Sequence, residues 1–266
     1  MKINEALLSF GINWNNCVSF SVDNTNVHIG RRNSIKTRVH QHNPSVYFVG
    51  CPCHMVHNTA SKAADAFEGE TGFDVEDMLV DLYYWFDKST KRKNELFSFC
   101  EFCDIQYREI VKHISVHWLS LECAVERTLR QYAALKSYFM SSDERQPRFL
   151  RLKELFSKPI VEVYLLFYQA VMPMFTTLNT FLQRETPCVH LVHDVLKSFV
   201  RKVFGKFIKI SAMRSLHEGD GLLDIDFVSV EEQLDNSSIF IGFTTRQLIR
   251  KLYNDGDISD SEVSCF

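Results

Sequence analysis

The chain has 266 residues, of which 45% are hydrophobic and 24% charged, with a net charge of -3. This composition excludes a wholly disordered chain and a small disulfide-stapled domain, and the near-neutral balance excludes a polycation that coats nucleic acid along its whole length. Only 10 Gly and 6 Pro stand against 22 Phe, which favours long helices over a many-stranded sandwich.

Met1 to Phe10 carries one Lys and a short apolar patch. It lacks the apolar core and small-residue cleavage site of a secretory leader. No run reaches the roughly 18 uncharged apolar residues of a membrane span. The most apolar stretch, Val161 to Val171, contains Glu162 and Gln169. A nuclear or cytoplasmic location is therefore expected, with no membrane partner. In a reducing compartment the 8 Cys would be structural, metal-bound or idle.

Cys17 to Val22 reads as a strand that stops at Asp23-Asn24. Asn26 to Arg38 reads as a helix. Val46 to Gly50 reads as a second strand, entered through Asn43-Pro44, and His54 to Phe67 as a second helix. Strand, helix, strand, helix favours a parallel pair with a crossover. Beyond Gly72, apolar residues recur at helical spacing over Val75–Phe86, Asn94–Ile114, Ser120–Phe139, Arg148–Phe156, Ile160–Gln183 and Val189–Phe207. Asp74, Ser120 and Pro159 are the N-terminal signals. Leu222 to Val230 reads as an edge strand or extended loop, Ser229 to Glu232 as the start of a short helix, and Thr244 to Tyr253 as a last helix. The acidic tail from Asn254 to Phe266 is expected to fray.

Three motifs have chemical potential. Asp23 is a carboxylate at the C-terminal end of a strand, where open α/β sheets place their sites. An Asx-type cap is the plainer reading of it. Cys51-Pro52-Cys53-His54-Met55-Val56-His57 offers four soft ligands, Cys51, Cys53, His54 and His57, directly after a strand. Cys100 and Cys103 could supply a second zinc pair, or could be small buried hydrophobes in an aromatic helix. His117-Trp118 precedes a helix; Trp118 could stack on a nucleobase, or pack a loop on the core. Basic clusters at 31–38, 88–93, 145–153 and 201–209 read as solvated helix faces, and permit a basic surface.

In this order the three motifs resemble the transposases of the hAT superfamily, and most nearly their domesticated, zinc-finger-associated descendants. The stretches that carry the resemblance are Val22 to Gly30, Cys51-Pro52-Cys53-His54 and His117 to Glu122, followed by Glu126 to Phe139. The resemblance spans roughly residues 11 to 139. It implies an α/β plus mostly α fold, a partial RNase H-like core interrupted by a large all-helical insertion domain. The boundaries expected are 1–72 for the partial core, 73–215 for the insertion and 216–266 for a C-terminal segment.

The resemblance also implies roles. Asp23 would be the second Asp of a catalytic triad of two Asp and one Glu. Cys51 and His54 would shape the active-site wall, and Trp118 with His117 would stack near a flipped base. The chain departs from that pattern. Glu5 is the sole acid before Asp23, and no family motif surrounds Glu231, Glu232 or Glu262. His117 stands where the family has Arg. One carboxylate cannot fix two metal ions, so Mg or Mn is expected only if a triad is completed elsewhere. Zinc is not expected. The implied protein is a transposase-derived chain without strand transfer, read as a middle slice of the family's length. DNA, a second copy or a related transposase-like chain are its partners, with no small-molecule substrate. A subunit of an active transposase and a zinc-organised interaction module are the alternatives.

Overall fold

The computed structural model describes residues 2–114, 118–213, 226–227 and 229–264. The chain forms two compact units, residues 1–59 and residues 60–266. The fold is mostly helical with one small parallel sheet.

The first unit opens with α1 (Lys2–Ser9) and one 3-10 turn at Trp14–Asn16. Then follow β1 (Ser19–Val22), α2 (Asn26–Ile29), α3 (Ile35–His42) and β2 (Tyr47–Gly50). β1 and β2 pair in parallel, Ser19 opposite Tyr47 and Val22 opposite Gly50. This is the expected parallel pair with helical crossover. Alternation puts Phe20 and Phe48 on the half-buried side, stacked with centroids 5.5 Å apart. They pack on a small core of Trp14, Val39 and Val46. The Asn43 amide ties this core together by donating to the carbonyls of Trp14 and Cys17.

The expected single helix from Asn26 to Arg38 is two. Gly30 ends α2 so tightly that a Cβ there would lie 2.3 Å from the Asn26 carbonyl oxygen. Asn33 takes a left-handed φ of 47°, which Asn tolerates better than most residues. Ser34 and Thr37 then close a reciprocal capping box that starts α3.

α4 (Pro52–Thr71) leads out of the first unit. The second unit continues with α5 (Val75–Phe86), α6 (Thr90–Phe102), α7 (Trp118–Arg130), α8 (Tyr132–Ser141), α9 (Pro147–Ser157), α10 (Pro159–Leu182), α11 (Val189–Phe204), α12 (Phe243–Asp255) and α13 (Asp260–Ser264). Asp74 caps α5 as its position suggests, accepting from the Asp77 amide at 2.9 Å. Pro159 occupies the first turn of α10, where its missing N–H costs nothing.

The core of this unit is aromatic. Phe139 on α8 meets Trp85 and Phe86 of α5 and Phe149 and Phe156 of α9. The Trp85 indole N–H donates to Tyr138 Oη at 3.1 Å, so a polar atom buried with the ring is satisfied. The Arg92 guanidinium of α6 lies 3.5 Å from the centre of the Trp85 ring and donates to the Trp85 carbonyl. At the rim of this cluster, Asp81 of α5 accepts from Arg148 and Arg151 of α9.

α10 is long and apolar enough, by length and composition, to cross a membrane. Here its side chains Val161, Val163, Leu165 and Tyr168 are buried in the helical core, against α7, α9 and α12. Its apolarity is that of a central packing helix.

Four sequence expectations change. The helix expected over Asn94–Ile114 ends at Phe102, because Asp104 takes φ 55° and the Ile105 amide turns back to the Cys100 carbonyl at 2.8 Å. Ile105, Tyr107 and Ile110 reach the core from an extended segment instead. The Ser120–Phe139 helix divides at Gln131, which is fully buried; its side-chain oxygen accepts from the Arg108 amide at 2.9 Å. Residues Ser229 to Glu232 form turns, and Gln233 bridges Ile208 in antiparallel fashion. Leu222 to Ile225 and Val228, in the expected edge strand, lie outside the described residues. The tail does not fray through residue 264. Gly256 takes the left-handed conformation after α12, Ile258 enters the core, and Ser259 and Glu262 cap α13.

Phe139→Ala is expected to destabilise the chain by about 3–5 kcal/mol, since it removes the ring at the centre of the cluster. Phe102→Ala, at an 85% exposed ring, should stay within roughly 0.5 kcal/mol. Urea denaturation followed by tryptophan fluorescence measures both.

Candidate functional site

The first candidate site is the C-terminal edge of the β1–β2 pair. The Cys51 amide donates to the Val22 carbonyl at 2.7 Å, which carries the parallel ladder one step past Gly50. Asp23 and Cys51 therefore leave neighbouring strands at matched positions. Asn24 bridges them, its amide donating to the Cys51 carbonyl at 3.3 Å. Gly50 is required under that bridge, because a Cβ there would sit 1.9 Å from Asn24 Oδ1.

Asp23 is folded back on its own chain. Its Oδ1 accepts from the Thr25 amide at 3.0 Å, from Thr25 Oγ1 at 2.7 Å and from His28 Nδ1. The Thr25 hydroxyl, the Thr25 amide and the His28 ring together hold the carboxyl at a pKa of about 2, below its ordinary 3.8. The Asx-type cap and the strand-end carboxylate are thus the same residue. His28 has little signal in the sequence beyond standing five residues after Asp23. The single turn of α2 is what returns its ring to the carboxylate.

Cys51 sits at the start of α4, whose first residue is Pro52. Burial pushes its thiol up. Hydrogen bonds from the His54 ring and from the His54 and Cys53 amides, with the charge of His54, outweigh this and hold the pKa below the usual thiol value. Cys51 and His54 are brought together as the sequence suggests. Cys53 and His57 are half-buried on the same helix.

These donors do not fit a metal centre. No group of three or more His, Cys, Asp or Glu side chains that could hold an ion comes together among the described residues. Tetrahedral zinc needs four ligands, and two-metal chemistry needs several acids around one point. Cys100 and Cys103 do not supply a second pair. Burial pushes the Cys100 thiol up to about 11, and its Sγ lies 3.6 Å from the Gln131 side-chain oxygen. It behaves as a small core side chain. No disulfide forms among the described cysteines.

His117 and the Trp118 side chain lie outside the described residues. α7 begins at Trp118, so Ser120 is within the helix and is not its cap. Its hydroxyl instead accepts from the Ile114 amide at 3.0 Å and meets His113 Nδ1 at 3.0 Å. The buried His113 ring places Nε2 3.2 Å from Glu76 Oε2, without hydrogen-bond alignment. This clasp fastens the extended segment after α6 to the starts of α5 and α7.

Comparison of the chain with protein-family models, with curated proteins and with solved structures gives no match.

Carboxyl-detected NMR should find the Asp23 midpoint near pH 2, and His28→Ala or Thr25→Val should raise it toward 3.8. The folded-state value lies below the unfolded one. The contribution of this group to stability is therefore complete above about pH 4 and fades as pH falls from 3.8 toward 2. At neutral pH, iodoacetamide should modify Cys51 before Cys100, and His54→Ala should slow the Cys51 reaction. Peptide mass mapping over time distinguishes the sites.

Proposed function

We propose that this chain descends from a hAT-type transposase, does not by itself cleave or join DNA strands, and acts by binding DNA or protein in the nucleus. One observation carries the reading. Asp23 and Cys51 leave β1 and β2 at register-matched ends, so the Asp-Asn and Cys-x-x-His motifs meet at one edge of a parallel pair. Open α/β sheets place their sites at this edge of the strands. The helical array that follows, with α7 opening at Trp118, agrees with the order expected of the lineage.

The lack of strand transfer is supported by the state of the carboxylate. An Asp that ligates catalytic metal turns its oxygens toward the ion and the scissile phosphate. Asp23 Oδ1 is committed to Thr25 and His28. No second acid stands with Asp23 in a metal-binding group among the described residues. A protein of this kind would retain the frame of the ancestral site and lack the further acids that a metal pair needs.

A nuclease assay tests this. Purified chain is incubated with manganese and duplex DNA carrying terminal inverted repeats. The expected result is the same background for the native chain and for Asp23→Ala. Robust cleavage that disappears in Asp23→Ala would overturn the reading.

A further inference from the structure

α11 carries apolar residues at helical spacing, among them Val192, Val195, Leu196, Phe199 and Val203, yet none of its side chains is buried. It leans on α10, where Phe199 packs edge-on against Phe175 with centroids 5.2 Å apart. Side chains of α7, α10 and α11 line a cleft of about 820 Å³ there. Its apolar walls are Pro173, Met174, Leu178 and Phe181 of α10 with Val195 and Phe199 of α11. Pockets for small molecules hold roughly 300–1,000 Å³, and are mostly apolar with a few placed polar groups.

One polar group of this cleft lacks a partner. Glu122 of α7 borders it, and Glu122 Oε2 is shut off from solvent with no hydrogen-bond partner among the described residues. An acceptor withdrawn from water without a donor is costly, and more so when it carries charge. The other charged groups of the cleft have no such need. Arg184, Asp194 and Lys202 are exposed, so water solvates them. Arg184 also lies over the Phe181 ring, 4.5 Å from its centre. Two acids and two cations balance in the lining, so net charge selects neither sign of ligand. The unpartnered oxygen makes the selection. Its need is for a donor, and a cationic donor gives the stronger bond to a carboxylate. A turn of the carboxyl about its terminal torsion, which has broad preferences, presents this oxygen to an occupant of the cleft.

We infer that the cleft between α10 and α11 binds a small amphiphilic primary amine. Its hydrocarbon body lies against Pro173, Met174, Val195 and Phe199, and its ammonium donates to the Glu122 carboxylate. A quaternary ammonium has no N–H to donate and fits the same walls without answering the oxygen. The site lies within the second unit and does not rest on the function proposed above.

The test is isothermal titration calorimetry of the full chain with three ligands that share one tail: octylammonium, octyltrimethylammonium and octanoate. Octylammonium should bind saturably, one per chain, and the other two about tenfold more weakly or less, the difference made by a charge-assisted hydrogen bond. Glu122→Gln should lower the octylammonium affinity by about tenfold and bring it close to that of octyltrimethylammonium. Thermal unfolding gives an independent readout. Glu122→Leu removes an acceptor that has no donor, so its Tm should equal or exceed that of the native chain. Octylammonium should raise the Tm of the native chain and leave that of Glu122→Leu unchanged.

Equal binding of all three ligands would mean that the tail alone is recognised, and would overturn the inference. Preference for octanoate would do the same, by showing that the cleft reads anions through Lys202 and Arg184. So would the absence of octylammonium binding up to about 10 mM, beyond which the affinity is that of a nonspecific contact. A clear fall in the Tm of Glu122→Leu would show that the carboxylate is needed by the fold itself, which also defeats it. None of these results bears on the nuclease assay, which tests strand cleavage alone.

Discussion

The second unit depends on one dry contact, the meeting of Phe139 with aromatic rings from α5 and α9. Aromatic side chains bury large areas and prefer tilted or edge-on neighbours, so each ring restricts the orientation of the next. Tyr138 adds a buried hydroxyl to this cluster, which accepts from the Trp85 indole. Arg92 covers the outer face of Trp85 and brings α6 into the same arrangement. Once these helices are set, α7 and α10 have a defined surface on which to lie. The abundance of Phe in the composition has its physical use here.

The small unit is held differently. Its sheet is two strands wide among the described residues, too narrow to be stable as an isolated ribbon. It relies on Trp14, Val39 and Val46 beneath the strands, and on side-chain hydrogen bonds from Asn43 and Asn24 that fasten the turns. Its strand ends therefore carry polar residues that are structural and chemically distinctive at once. Asp23 makes the Asx-type turn that leads into α2 and is also the carboxylate at the sheet edge.

Charged groups meet different surroundings along the chain. At the sheet edge, the Asp23 carboxylate accepts hydrogen bonds from Thr25 and His28. Along α9, Arg148 and Arg151 both pair with Asp81. Along α11, three cations line a groove.

Much of this was legible in the sequence because it is periodic or local. The limits of α5, α9 and α10, the cap at Asp74 and the parallel pair all follow from apolar spacing and short-range hydrogen bonding. So does the approach of His54 to Cys51, three residues away on one helix. Other features depended on partners distant in the chain. The break at Gln131 is decided by the Arg108 amide, and the end of α6 by a left-handed Asp104. Ser120 reads as a cap in the sequence because its true partners, Ile114 and His113, come from a loop with no period. The contacts of Lys206 with Phe240 and of Lys209 with Glu231 required the folded positions of those partners. Sequence alone determined that most of the chain beyond Gly72 is helical, which two strands run parallel and which residues stand at their ends. Only the tertiary structure decided which polar groups are already satisfied, because a hydrogen bond or ion pair is settled by distance in space and not by separation along the chain.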